Sequence, residues 1–99
     1  MEEATVLKHL KQLHRDIEID DGKDPSLVTD DSQPLDDLGG FDSPLIPNVI
    51  RQLAKLMGID IPKGTRLKNP YVDVNHNKLT LRQVAKRFCE LYGKKEKAV

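Results

Sequence analysis

The chain has 99 residues, with sixteen Lys and Arg against sixteen Asp and Glu, so its formal net charge is zero. This balance excludes a uniformly basic polyanion binder and an acidic disordered tail. The zero is a cancellation, because residues 1–48 carry twelve acids and four bases, whereas residues 49–99 carry four acids and twelve bases. The length predicts one domain, which we place at residues 1–93, with a Lys-rich tail at 94–99.

The first amphipathic segment predicts a helix over about residues 3–17. Its apolar side chains recur at helical spacing, and Glu2 and Glu3 lie in the first turn, where the helix dipole favours acids. A long connection follows, over about residues 18–42, and its spaced apolar residues are expected to anchor it to a helical bundle. These anchors are Leu27, Val28, Leu35, Leu38 and Phe41.

The second helix is predicted from an apolar stripe that begins at Val49 and is closed by Gly58 as a left-handed cap. We place its start among Ser43, Pro44 and Pro47. Ser43 would be the N-cap and Pro44 the first helical residue, which fits the chemistry of helix starts. Pro47 is expected to delay the beginning of the regular helix.

A second connection spans about residues 58–79 and contains a candidate helical turn at 65–72. The last helix is predicted from the stripe that starts at Leu81 and ends before Gly93. Thr80 and Gln83 are spaced as a capping box at its start. Because no strand is indicated, the predicted fold is all-α, a small bundle of three to four helices with a long first loop.

The chain resembles the acyl carrier protein family over nearly its whole length, most strongly over residues 28–62 and 79–92. In that family an Asp-Ser motif opens the second helix, and a proline follows the serine at a typical spacing, as Pro62 does here nineteen residues after Ser43. The other matching elements are Val28-Thr29, Leu38-Gly39, Asp42-Ser43 and the threonine-capped last helix at 78–88.

The resemblance implies that Ser43 carries 4′-phosphopantetheine, covalently transferred from coenzyme A, whose thiol holds an acyl thioester. The phosphodiester would lie at a helix N-terminus, where free backbone N–H groups and the dipole favour an anion. Gly39 and Gly40 are expected to clear the approach to the hydroxyl, and Asp42, Pro44 and Leu45 flank it. The residues expected to form the core and line the acyl chain are Val49, Leu53, Met57, Ile61, Leu67, Val84 and Phe88.

By the same resemblance the chain is a carrier, not an enzyme, and its partners are a phosphopantetheinyl transferase and acyl-loading and acyl-transferring enzymes of fatty-acid, polyketide or lipid-related biosynthesis. The chain departs from the family in the extra Phe41, in Pro44 and Pro47, and in a recognition helix that is basic. We expect Asn48, Arg51 and Lys55 to dock the partner, which would present an acidic patch. A cytoplasmic monomer is expected.

Other classes of site find little support in the sequence. Two acidic stretches fail the EF-hand pattern, the three His and the single Cys89 give no metal-ligand spacing, and no apolar run is long enough for a membrane span. The alternative is a helical adaptor whose basic C-terminal half binds an acidic protein or nucleic acid, and few aromatic residues argue against nucleic acid. The bases for that function are Lys78, Arg82, Lys86 and Arg87 on and before the last helix.

Overall fold

The computed structural model describes residues 2–62, 64 and 67–92. Within these ranges the chain forms no strand and four α-helices, which are α1 (Glu3–Asp20), α2 (Pro34–Asp37), α3 (Ile46–Leu56) and α4 (Leu81–Tyr92). Two short 3₁₀ turns, Pro25–Leu27 and Ser43–Leu45, precede α2 and α3. The predicted all-α bundle is confirmed, while the predicted Gly93 cap and the tail at 94–99 lie outside the described residues.

α1 packs mainly against α4 and also contacts α3. Val6 and Leu10 of α1 are fully buried against Leu53 of α3 and against Val84 and Phe88 of α4, and together they form one apolar core. The amphipathic stripes that predicted the three long helices are therefore the faces that pack, as expected for helices stabilised mostly by tertiary contacts.

α1 continues three residues beyond its predicted end. The stripe that begins with Val6 and Leu10 continues with His14 and Glu18, and both of these polar side chains are fully buried. Because the pattern of apolar residues is interrupted by these two, hydrophobicity alone could not locate the last turn. The helix ends at Asp20, and the backbone N–H of Asp21 still donates to the carbonyl of Ile17 at 3.1 Å.

The first connection caps the start of α4. The first two backbone N–H groups of α4 donate to the carbonyls of Ser32 and Asp30 at 2.8 and 3.0 Å. The predicted capping box is confirmed, since the N–H of Thr80 donates to Gln83 Oε1 at 2.9 Å and the N–H of Gln83 donates to Thr80 Oγ1 at 3.2 Å. The donors that a helix start leaves unpaired are thus satisfied, and α4 is tied to a loop distant in sequence.

Most of the predicted anchors of the first connection are buried or partly buried, but Leu27 is 53% exposed and its assignment was wrong. Leu27 ends a 3₁₀ turn that Asp24 caps, and the buried residue is its neighbour Val28. The single turn of α2 was not predicted. Its Asp37 carboxylate accepts the N–H of Gln33 at 2.8 Å, which closes the turn through a local polar contact.

The second connection is held by two tyrosines instead of a helix. Tyr71 is buried in the core, and the Tyr92 hydroxyl both donates to the carbonyl of Lys68 at 2.9 Å and accepts its N–H at 3.1 Å. The helical turn predicted at 65–72 is wrong over residues 67–72, where the structure has no helix, and residues 65 and 66 lie outside the description. The chain then reverses in a turn closed by Asp73 and Asn77.

His14 is a buried polar residue of the core. Its Nε2 shares a hydrogen bond of 2.7 Å with the Tyr71 hydroxyl, and its ring meets Phe41 edge-on at 4.5 Å between centroids. The Nδ1 atom has no hydrogen-bond partner within the described part of the chain. Burial disfavours the charged imidazolium and lowers the pKa of His14 to about 4.

Because His14 is buried, we expect the folded state to become less stable as the pH falls. The unfolded chain protonates His14 near pH 6.5 and the folded chain only near pH 4, so the free energy of unfolding should fall as the pH falls through that window. The loss should be roughly 2 kcal/mol between pH 7 and pH 5, and it approaches roughly 3 kcal/mol only near pH 4, because each pKa unit corresponds to about 1.4 kcal/mol. Urea denaturation at pH 7.0, 6.0 and 5.0 measures it, and an NMR titration of the imidazole measures the pKa directly.

The His14→Gln variant should be less stable at pH 7 yet lose less stability between pH 7 and 5 than the wild type. His9→Gln, on the less buried part of the same helix, is the matched control and should keep the wild-type pH dependence. Equal pH dependence in the wild type and His14→Gln would contradict the assignment.

Candidate functional site

Ser43 lies at the start of the helical segment that leads into α3. It is exposed, it is the first residue of the 3₁₀ turn Ser43–Leu45, and its hydroxyl has no hydrogen-bond partner in the described part of the chain. The prediction that Ser43 is the N-cap was wrong. Asp42 takes the N-cap position with extended backbone angles, and its side chain makes no capping hydrogen bond. The hydroxyl of Ser43 is therefore free of a structural role.

The regular helix begins three residues later, at Ile46, as expected from Pro47. Pro44 and Pro47 have no N–H, and the N–H groups of Leu45 and Ile46 donate to the carbonyls of Asp42 and Ser43. The expectation of several free N–H groups for an anion was therefore wrong for this helix start. What remains near Ser43 is the positive end of the α3 dipole.

Gly40 has a structural role that differs from the expected one. Its N–H donates to Glu18 Oε1 at 3.1 Å, and a Cβ at this position would overlap with Glu18 Oε2 and lie 3.2 Å from Asp21 Cβ. Gly40 thus permits a close approach between the loop and the end of α1. A Cβ at Gly39 would lie 3.4 Å from the flexible end of Lys23, an ordinary contact.

Phe41 positions the segment before Ser43. It is the extra residue by which the chain departs from the family that it resembles. It is buried, and its ring lies 5.0 Å from that of Tyr71 and 4.5 Å from that of His14, measured between centroids. With Gly40 held at Glu18 and Phe41 held in the core, the exposed pair Asp42-Ser43 follows directly from two fixed residues. Sequence reasoning missed Glu18 and His14, although both fall at helical spacing on the buried stripe of α1.

The three predicted docking residues lie on the exposed surface of α3. Asn48, Arg51 and Lys55 are all exposed, and none of them forms an ion pair within the part of the chain that the structure describes. Arg51 and Lys55 border a depression of about 210 Å³ formed with Ile59 and Ile61. Asn48 borders a depression between α3 and α1, and Lys55 also lines the depression that adjoins it.

The residues predicted to line an acyl chain divide into two groups. Val49, Leu53, Val84 and Phe88 are closed in the core, each 2% exposed or less. The other three, Met57, Ile61 and Leu67, pack against the core while remaining partly exposed. Ile61 and Leu67 border different surface depressions, so the structure does not bring the seven residues together around one cavity.

The basic residues before and on α4 are partly neutralised. Lys78 pairs with Asp36, and the guanidinium of Arg82 lies 3.5 Å from an Asp30 carboxylate oxygen and 3.8 Å from an Asp31 oxygen. Asp30 also forms an ion pair with Lys11, with 2.8 Å between the ammonium nitrogen and a carboxylate oxygen, and this contact holds the pKa of Asp30 below its usual value. Two of the four bases considered for an adaptor surface, Lys78 and Arg82, are therefore paired with acids of the first connection, whereas Lys86 is exposed.

Within the described ranges no helix combines the length and hydropathy of a membrane span. No group of three His, Cys, Asp or Glu side chains converges as metal ligands among those same residues. Comparisons with protein-family models, with curated proteins and with solved structures found no match to the chain. The site must therefore be interpreted from its own geometry.

The close approach at Gly40 predicts different effects of alanine substitution at Gly40 and at Gly39. Gly40→Ala should lower the free energy of unfolding by about 1–3 kcal/mol, because the added methyl group forces the buried Glu18 carboxylate away from its N–H donor. Gly39→Ala is the matched control and should be neutral or slightly stabilising, since it only restricts the unfolded chain. Chemical denaturation of both variants tests the pair, and equal stability of the two would contradict the role given to Gly40.

Proposed function

We propose that the chain is a carrier protein in which Ser43 is the attachment point of 4′-phosphopantetheine. The observation that carries the proposal is the exposed Ser43 hydroxyl, free of any structural hydrogen bond and presented at the start of the segment leading into α3. A modifying enzyme must reach a hydroxyl in this way, and fixed residues immediately before it reduce the entropy lost on docking.

The all-α bundle and the sequence around Asp42-Ser43 support the same function. An electrostatic argument also supports attachment, since a phosphodiester at Ser43 would lie at the positive end of the α3 dipole. Because two prolines and two internal hydrogen bonds remove most nearby N–H donors, we infer that the phosphodiester stays largely hydrated.

The packing of the core bears on the proposed cargo. A long acyl chain could enter the bundle only by displacing side chains such as Leu53 and Phe88, which are 1% and 0% exposed. Opening a close-packed core costs free energy, so we propose a short or polar thioester that remains at the surface. Its partners would be a phosphopantetheinyl transferase and cytoplasmic enzymes that load and remove the acyl group.

The attachment is tested by mass spectrometry of the intact protein. Incubation with coenzyme A and phosphopantetheinyl transferases from the native host should add one phosphopantetheine group to the wild type, and Ser43→Ala should abolish the addition. Ser26→Ala, which removes another exposed hydroxyl, should be modified like the wild type. A wild type that no native transferase modifies, or a Ser43→Ala variant that is still modified, would overturn the proposal.

The docking role proposed for α3 is tested separately. Reversing both charges in Arg51→Glu/Lys55→Glu should slow acyl loading by about tenfold, because electrostatic complementarity chiefly affects association. Loading is measured on the modified protein in a lysate of the native host. Lys8→Glu/Lys86→Glu makes the same charge change at exposed residues of α1 and α4 and should load at the wild-type rate. Equal rates for the two double variants would exclude Arg51 and Lys55 as docking residues.

A further inference from the structure

A groove runs between α1 and α3. Ser43 does not line it, although its walls include Gly40, Leu45, Asn48 and Lys55. It consists of two adjoining depressions, of about 370 and 510 Å³, which share Leu13, Asp16 and Gln52 in their walls. We name it the α1–α3 groove. Its apolar surface is provided by Leu13 and Ile17 from α1 and by Leu45 and Leu56 from the α3 side. Leu56 is 52% exposed, so a large part of its apolar surface is accessible to a ligand in the groove.

One end of the α1–α3 groove is strongly acidic. Asp16, Asp20 and Asp21 line it, and in the described part of the chain none of them forms an ion pair. Asp16 accepts a hydrogen bond only from the neutral amide of Gln12, at 3.0 Å. Behind Gly40, which also lines this end, the fully buried Glu18 leaves its Oε2 atom without a partner. Among the described residues, therefore, no ion pair offsets the negative charge at the acidic end.

These acids are unfavourable for the helix that carries them. Asp20 is the last residue of α1 and Asp21 its C-cap, and the last turn contains no basic residue. The C-terminal end of a helix dipole is negative and favours cations, so acids there destabilise the helix. Acids that destabilise a helix end and have no compensating contact within the fold are characteristic of a functional surface.

We propose that the α1–α3 groove binds a basic amphipathic helix of a partner protein. The apolar side chains of the bound helix contact Leu13, Ile17 and Leu56, and Lys or Arg residues near one end of it pair with Asp20 and Asp21. The walls of the groove are helices whose backbone groups are already paired, so there is no strand edge for an extended peptide. From His9 to Asp20 the groove follows α1 for about 17 Å, the length of about three helical turns.

The negative end also excludes two other occupants. A nucleic acid or an anionic membrane would bring phosphates against Asp16, Asp20 and Asp21, which is electrostatically unfavourable. The proposal does not depend on attachment at Ser43, because the groove is complete in the unmodified chain. Of the three residues proposed for docking, Asn48 and Lys55 line the groove, whereas Arg51 borders the depression formed with Ile59 and Ile61.

The test uses the full chain, labelled with ¹⁵N, and a synthetic peptide of fourteen residues as the probe. The peptide has leucines at positions i, i+4 and i+7 and four Lys or Arg residues in one terminal half. Titration should shift the amide signals of residues along the α1–α3 groove, and calorimetry should give a saturable affinity. A peptide of identical composition with scrambled leucine positions should bind at least about tenfold more weakly, because it presents no apolar face.

Two pairs of variants separate the electrostatic and apolar contributions. Asp20→Asn/Asp21→Asn should weaken peptide binding by about five- to tenfold, whereas Glu2→Gln/Glu3→Gln, with the same charge change at the other end of α1, should alter it by less than about twofold. Leu56→Gln should also weaken binding. Ile19→Gln should not, because Ile19 is about as exposed as Leu56 but lies outside the groove. All six substituted residues are exposed, so each variant is expected to fold.

Three outcomes would overturn the proposal. Signal shifts located away from the groove would place the helix elsewhere, and equal affinity for the scrambled peptide would mean nonspecific charge attraction. Self-association of the chain that Leu56→Gln abolishes, without binding of the peptide, would assign the groove to a second copy. Loss of phosphopantetheine attachment in the wild type would leave this proposal untouched, because the titration uses the unmodified protein.

Discussion

The buried hydrogen bond between His14 and Tyr71 connects the parts of the molecule that its helices alone would leave separate. His14 belongs to α1, Tyr71 to the second connection, and the Phe41 ring from the first connection contacts both. Both long connections are thereby attached to the same turn of one helix. A buried polar pair of this kind costs free energy when either partner is removed, so it specifies which loop residues meet α1 more strictly than apolar contact would.

The position of Ser43 depends on this arrangement. The preceding residues are fixed by Phe41 in the aromatic cluster and by Gly40 at the Glu18 carboxylate, and the exposed Asp42 follows at once. The site is therefore a short, exposed polar segment between a buried segment and a helix. Its orientation is determined by side chains of α1, although Ser43 itself belongs to the segment that enters α3.

The helices could be predicted from the sequence because their apolar residues have a clear period and because Thr80, Gln83 and Gly58 provide local signals at helix ends. Gly58 indeed has a left-handed backbone, with φ of 73°. The buried roles of His14 and Glu18 could not be predicted, since polar residues on an apolar stripe give no indication of their partners. The role of Gly40 was equally hidden, because a glycine that permits a close approach and one in an open loop look the same in a sequence. Ser43 was identified by resemblance, but its local geometry depended on Pro44 and Pro47 acting together.

The charge asymmetry of the sequence is partly resolved by folding. Lys78 and Arg82, from the basic half, meet Asp36, Asp30 and Asp31 of the acidic half. Exposed pairs of this kind contribute little stability individually, but they fix which acids remain uncompensated. In the described part of the chain, the acids at the end of α1 are among those without an ion pair.

The packing of α1 on α4 has a consequence for how the protein is made. These helices are separated by about sixty residues of sequence, yet their contact is the most extensive between helices. During synthesis on the ribosome, α1 therefore has no partner for its main apolar face until residues 81–92 have been translated. Contacts between distant segments are slow to form, so the apolar face of nascent α1 stays exposed during that interval.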